Sequence, residues 1–502
     1  MPKETNRKMA TVAMLVATFL VAIDVTVVST AMPKIVADLS GLKLISWVFA
    51  IYTLTTSVTT PIYGKLADLF GRKIIFIIGV ILFVLGSMLS GAAHTMAQLI
   101  WFRAFQGIGA GAVMPVTFTI IGDLFPGEQR ARMQGVFSSI WGIAGLLGPL
   151  VGGFFVDHIS WRWIFYINLP VGLVSLILIT LFFHETLGER KSRKIDYFGA
   201  ITFTIGISSL LYALLNGGSK YAWNSAPIYT LFAVAIIFII LFAILETKVT
   251  EPMLPPSLFK KPIILTSNLM VFLSSGVLIG VNVYLPMWIQ TILGHSATSS
   301  GLTLMPMSIA WPLGATFAGR YMYKIGSKTT AVIGAVLIAL GSTWLLALSL
   351  NSPYWYFVGI MIVIGLGMGY STTPATVLVQ SAVGWQMRGA ATASNTFMRS
   401  VGQTVGVAVY GTIFNNTIVT YGEKVSGGKM SGESISGILN SNAAVSKLQP
   451  AVLEIIQKTL AHTLHNVFVL SFIIGLATLV VTLFLPSHAK VLEQQKQTKP
   501  SH

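Results

Sequence analysis

The sequence predicts an all-α integral membrane protein of fourteen transmembrane helices, built as two six-helix bundles with two further helices inserted between them. Three observations carry this prediction. Hydrophobic residues make up 54% of the 502, charged residues only 10%, and the mean hydropathy is +0.77, whereas a soluble globular domain is about one-quarter charged. Fourteen apolar stretches reach roughly 18 residues or more, enough to cross a hydrocarbon core of about 30 Å. The chain also repeats itself. GKLADLFGRK at 64 to 73 returns in weakened form as GRYMYKIGSK at 319 to 328, and GIGAGAVMP at 107 to 115 is echoed by GLGMGYSTTP at 365 to 374. Similar offsets in two places imply homologous halves, and parallel repeats around a midplane site are a transporter plan.

The stretches run at roughly 10 to 32, 45 to 64, 74 to 93, 97 to 121, 134 to 156, 162 to 183, 197 to 216, 227 to 246, 264 to 288, 300 to 322, 329 to 349, 354 to 380, 389 to 413 and 462 to 485. Helices 1 to 6 form a bundle within residues 1 to 190, helices 7 and 8 occupy 191 to 250, and helices 9 to 14 form the second bundle within 251 to 485. A loop rich in Ser, Gly and Asn spans 417 to 461, and 486 to 502 form a tail. Most of the 32 basic residues fall in alternate loops, among them Lys65, Arg72 and Lys73, then Arg130 and Arg132, then Arg190, Lys191, Arg193 and Lys194, then Lys260 and Lys261, then Arg320, Lys324 and Lys328. The positive-inside rule makes that side the cytoplasm. Both termini are therefore expected in the cytoplasm, in a multi-pass protein of the cell membrane. MPKETNRK precedes an apolar run without a small-residue cleavage site, so the first helix reads as a span and not a signal peptide. The formal charge of +16 is spread over short loops, so the lipid bilayer and not a nucleic acid is the expected partner. With no cysteine there is no disulfide, thiolate metal site or cysteine nucleophile.

Within the first stretch, TVAMLVATFLVAIDVTVVSTAM, stands a single carboxylate, Asp24. In hydrocarbon it costs several kcal/mol unless protonated, paired or wetted, so it is a functional candidate by default. Helix 4 carries Arg103. At about 1.5 Å per residue, Asp24 lies roughly 10 Å and Arg103 about 9 Å below the outer ends of their helices. The two are matched in depth. In 64 to 73 the glycines allow a tight reversal, while Asp68 sits at a helix end within reach of Arg72, and Asp123 and Arg130 on the next cytoplasmic junction extend that charge cluster. The same cluster also fits a solvated loop whose charges set topology. GxGxG-like spacing at 107 to 111 is not a dinucleotide fingerprint, since it lies inside a span with no preceding strand.

These residues resemble the major facilitator superfamily, specifically its fourteen-helix drug:proton antiporters, over nearly the whole chain. GKLADLFGRK is similar to the loop 2 to 3 signature and RAFQGIGAG at 103 to 111 to the helix 4 proton-transfer signature. Gly135, Ala144, Gly148, Pro149, Gly152 and Gly153 resemble the antiporter signature of helix 5, with Ala144 where glycine is favoured. IDVTVVSTAMP at 23 to 33 and WRWIFYINLPVG at 161 to 172 resemble two signatures of the fourteen-helix branch, the first with Ser29 in place of the usual asparagine. The resemblance implies that helices 1 and 4 line a central cavity, that Asp24 and Arg103 couple transport to protons, and that Gly64, Asp68, Gly71, Arg72 and Asp123 latch the cytoplasmic side. Small residues in helix 5 let backbones pack closely, and Pro149 removes one backbone donor; ordinary helix packing fits the same residues.

The second half differs in charge. No Asp or Glu occurs between Glu251 and Glu423, while Asn395, Arg399 and Gln403 are spaced i, i+4, i+8 along one face of helix 13. A polar, cationic cavity wall disfavours polycations; a structural arginine on backbone carbonyls fits Arg399 equally. Trp288, Trp311 and Trp344 with Met305, Met307 and Met368 suit a greasy pocket, although packing explains most such residues. His462 and His465, three apart without a third ligand, do not make a metal site. The expectation is a monomeric, proton-coupled antiporter that exports amphiphilic drugs or antimicrobial compounds, with protons as the coupling ion and no cofactor beyond the proton gradient. The alternative is a dedicated exporter of one endogenous metabolite or lipid-like molecule. With no nucleophile–base pair, metal cluster or nucleotide loop in the sequence, no enzymatic activity is expected.

Overall fold

The computed structural model describes residues 4–40, 44–185, 194–218, 220–294, 302–349, 352–425 and 450–486. Its long helices are α1 (Arg7–Leu39), α2 (Ile45–Phe70), α3 (Arg72–Gly91), α4 (Met96–Leu124), α5 (Gly127–His158), α6 (Trp163–Phe182), α7 (Tyr197–Asn216), α8 (Ala226–Lys248), α9 (Pro262–Thr291), α10 (Met305–Ile325), α11 (Ser327–Leu346), α12 (Tyr354–Ser381), α13 (Arg388–Val425) and α14 (Pro450–Leu483). Each begins for a local reason where a cap is visible: the side chains of Asn6, Thr95 and Asp196 accept from backbone N–H groups of the first turns of α1, α4 and α7. A kink at Ile167 divides α6.

Eleven of these helices are long and apolar enough to cross a membrane by length and composition. The three that fall short, α2, α10 and α13, all pack across the boundary between the halves, α2 against α13 and α10 against α5. A face turned to protein has no need to be apolar. In α2, for example, the Thr56 and Thr60 hydroxyls donate to the Gly107 and Gly111 carbonyls of α4 at 3.1 and 3.3 Å.

The sequence repeat is reproduced in the backbone. Between α2 and α3 the chain turns at Gly71 with φ 101° and ψ 147°; between α10 and α11 it turns at Gly326 with φ 92° and ψ 146°. Glycine reaches that left-handed region without steric penalty. The glycine runs match too. In α4, Gly107 and Gly111 lie against α2 and Gly109 against α3, close enough that a Cβ would strike backbone; in α12, Gly365 and Gly369 lie against α10 and Gly367 against α11.

Each half has its own apolar core, with Met14, Phe83 and Val113 in the first and Val281, Ile364 and Phe468 in the second. The inserted pair leans on the seam between them: Phe203, Ile207 and Leu211 of α7 share one cluster with Leu54 and Val58 of α2 and Phe397 of α13. The expected loop at 417 to 461 is shorter than predicted, because α13 continues to Val425 and α14 begins at Pro450. Residues 426–449 of that loop, Arg190, Lys191 and Arg193, and the tail from 487 lie outside the described residues.

Candidate functional site

Apolar along nearly all its length, α1 nevertheless delivers Asp24 to an enclosed position, 1% exposed. The structure brings it onto Arg103 of α4, whose Nη1 lies 2.6 Å from Asp24 Oδ2. One turn further along α4, Gln106 accepts from the same Nη1 at 2.7 Å and donates to Asp24 Oδ1 at 2.9 Å. Asn168, just after the kink in α6, donates to Oδ1 at 3.2 Å and to Ser87 Oγ of α3 at 2.8 Å. Ser87 in turn donates to the Phe165 carbonyl. Below the guanidinium lies the Tyr52 ring of α2, 4.2 Å from Arg103 Cζ. Five helices thus converge on one carboxylate, and both its oxygens are used as acceptors.

Chemically this is a buried ion pair whose remaining capacity is met by amide donors, the condition under which such a pair is tolerated. A proton added to Asp24 would turn one acceptor into a donor facing Arg103 or an amide, so the network cannot stay as it is through protonation. Two polar atoms are left over, the Tyr52 hydroxyl and Arg103 Nε, both buried without a hydrogen-bond partner. Sequence reasoning named Asp24 and Arg103 but no role for Gln106, Asn168, Ser87 or Tyr52. Gln106 and Asn168 do lie inside the quoted stretches RAFQGIGAG and WRWIFYINLPVG, three residues from Arg103 and at the kink; nothing in spacing alone singles out Ser87 or Tyr52.

A second cluster forms where Gly71 turns the chain. Arg72, wholly buried, lies 2.9 Å from Asp68, 3.2 Å from Asp123 and 3.7 Å from Glu185, donates to the Trp385 carbonyl at 2.7 Å and stacks over the Trp385 ring at 3.8 Å. Asp68 also accepts from the backbone N–H groups of Gly389 and Ala390, at 2.9 and 2.8 Å. Those are orphan donors of the first turn of α13, so a carboxylate from one half caps a helix of the other. Asp123 also pairs with Arg388. Arg130, which the sequence places in the same charge cluster, donates to the Gly122 and Phe125 carbonyls and to Ser381 Oγ. Gly64 sits so close to Gly389 and Ala393 that no side chain fits between them.

Helix α5 uses its small residues in two directions. Gly135 meets Thr316 of α10 across the halves, while Gly148 and Gly152 meet Thr26 and Thr30 of α1; Gly153 faces open space, and Pro149 lies inside the helix. Ser29 is exposed and lines a cavity of about 560 Å³ with Met32, Pro33, Val36, Ile45 and Phe49, between α1 and α2. In α13, Asn395 is buried and turned into its own half: it donates to Asn268 Oδ1 of α9 at 3.0 Å and accepts from Thr376 of α12 at 3.4 Å. Arg399 and Gln403, one and two turns further on, are partly buried.

Residues 14–407 match the family model of the Major Facilitator Superfamily. The chain belongs to the Major Facilitator Superfamily. Over its full length it is 37% identical to the multidrug transporter protein MdtP of Bacillus subtilis (strain 168), covering 99% of that protein, and 36% identical to multidrug resistance protein 3 of the same organism, again covering 99%. It is 31% identical to the rubrofusarin-specific efflux pump aurT of Gibberella zeae, over 80% of this chain and 76% of that one. Two solved structures share the fold. The human organic anion transporter MFSD10 aligns with a TM-score of 0.62 at 13% identity, over 94% of this chain and all of that one. The proton:xylose symporter XylE aligns at 0.61 and 15%, over 97% and 98%. In this superfamily member the two charge clusters therefore sit on a transporter fold, one inside the first bundle and one across the seam.

Proposed function

We propose that this protein is a proton-coupled antiporter that exports amphiphilic drugs or antimicrobial compounds across the cell membrane, with both termini in the cytoplasm. The observation that carries the reading is the enclosed Asp24 carboxylate held by Arg103, Gln106 and Asn168, supported by the full-length likeness to two proteins named for multidrug transport. Proton loading at Asp24 releases Arg103 from its ion pair and loosens five helices at once; loss of the proton restores the network. The Asp68–Arg72 cluster, capping α13 from the other half, holds the cytoplasmic ends together in the state seen here. Exchange between states then means uncapping α13, so the latch governs alternating access and not substrate affinity. Gln403 and Arg399 belong to the substrate cavity in this reading. The protein works as a monomer, with the proton gradient as its sole energy source.

The likeness to a pump named for one product, rubrofusarin, favours a second reading, a dedicated exporter of one endogenous metabolite. A panel of dyes and antibiotics in a host lacking its own pumps separates the two, since a dedicated exporter lowers the accumulation of none. In proteoliposomes, an imposed pH gradient should drive export by the wild type and none above background by Asp24→Asn. Full coupled export by that variant would remove Asp24 from the mechanism.

A further inference from the structure

From its geometry we infer that Arg399 is a receptor for an acidic group, and that the exporter's preferred substrates are amphiphiles carrying a carboxylate. The inference rests on the exporter reading above and narrows its substrate class.

Among the described residues the other interior arginines each hold at least one partner. Arg72 and Arg103 hold carboxylates, Arg388 holds Asp123, and Arg130 and Arg162 hold backbone carbonyls. Arg399 has no hydrogen bond, ion pair or aromatic contact among the described residues, and its Nε is shut off from solvent with no partner. The side chain as a whole is partly accessible. No described carboxylate forms an ion pair with it. Residues 252 to 422 contain no carboxylate, Asp24 is committed to Arg103, Gln106 and Asn168, and Asp68 and Asp123 to the latch. The polar neighbour one turn below, Asn395, is turned to Asn268 and Thr376, so it does not occupy the guanidinium. An uncompensated cation inside a membrane protein is costly and is met where an anion arrives from outside. A planar fork of N–H donors matches a carboxylate best, and Gln403, one turn further out on the same strip, supplies an amide for its second oxygen or a neighbouring carbonyl.

The test compares a pyrene carboxylic acid with its methyl ester, which have the same apolar body. Binding is followed by fluorescence in nanodiscs, and export in proteoliposomes, both near neutral pH in gluconate buffer. The wild type should bind the acid roughly tenfold more tightly than the ester, about the worth of one charge-assisted hydrogen bond. Arg399→Gln should bring the ratio of acid to ester affinity close to one, and Arg399→Lys should keep part of the preference, with the fold of each variant checked by its thermal melt. Equal affinity for acid and ester in the wild type overturns the inference without any variant, and so does a preference that survives in a folded Arg399→Gln. Acid binding abolished by physiological chloride would assign the position to the inorganic anion instead and overturn the substrate reading. Loss of pH-driven export of both compounds by the wild type would count against the exporter reading, whatever their affinities.

Discussion

In the first half the membrane-embedded Arg103 of α4 meets a carboxylate, an amide and an aromatic ring, whereas in the second half Arg399 of α13 meets none of these among the described residues, although the two halves repeat the same helix packing down to the turn at Gly71 and Gly326. Duplicated backbone geometry therefore does not carry duplicated chemistry. One half closes its charges on themselves and, in the function proposed above, answers to a proton; the other leaves a charge open and, in the inference above, answers to a ligand. A transporter that exchanges two unlike species gains from such a division, because loading one site need not occupy the other.

The contrast can be broken most severely at Asp24. Asp24→Asn leaves Arg103 as a buried charge without its carboxylate, a loss of about 3–5 kcal/mol for such pairs. The purified variant should melt well below the wild type as well as lose proton-driven export. Adding Arg103→Gln to it removes the orphaned charge and should recover much of the melting temperature but none of the transport. A double variant no more stable than Asp24→Asn would mean that the two residues are energetically independent.

The two arginines should then respond with opposite sign. Arg103→Met strands Asp24 and should lower thermal stability, whereas Arg399→Met removes a charge that nothing compensates and should leave stability unchanged or raise it by about 1 kcal/mol or more, as replacing interior charges by apolar groups of similar size often does. Thermal melts in one detergent suffice. Matching losses would show that Arg399 has a partner in the folded state.

At the latch, Asp68→Asn keeps one oxygen to cap α13 but gives up the charge that faces Arg72 and the helix N-terminus. Turnover should fall roughly tenfold while substrate affinity in detergent changes less than about twofold, because the effect falls on the equilibrium between states. Collapse of affinity with turnover preserved at saturation would move Asp68 into the binding site. The smallest effect is expected at Asn395→Ala, which loses the buried hydrogen bonds with Asn268 and Thr376 inside the second half. It should cost about 1 kcal/mol of stability with export kinetics close to those of the wild type, and a strong kinetic defect would place Asn395 in the cavity after all.

Much of this protein follows from one dimension. Span length, the alternation of basic loops and the position of the two reversal glycines depend on hydrophobic run length and on local backbone freedom, so they are written along the chain; so is the common depth of Asp24 and Arg103, which needs only the helical rise. The azimuth of each side chain and the lateral neighbour it finds are not. That Asn395 turns into its own half while Arg399 on the same strip stays open, that Arg388 and not Arg130 pairs with Asp123, and that Gln106 and Asn168 complete the shell of Asp24 were decided by how the helices pack. The spacing i, i+4, i+8 places three side chains on one strip, but a strip on a helix of radius near 2.3 Å borders more than one neighbour. Asp68 shows the limit most clearly: its nearest arginine lies four residues away in sequence, yet its N–H donors come from Gly389 and Ala390 in the other half, because an uncapped helix end finds whichever acceptor the tertiary fold brings to it.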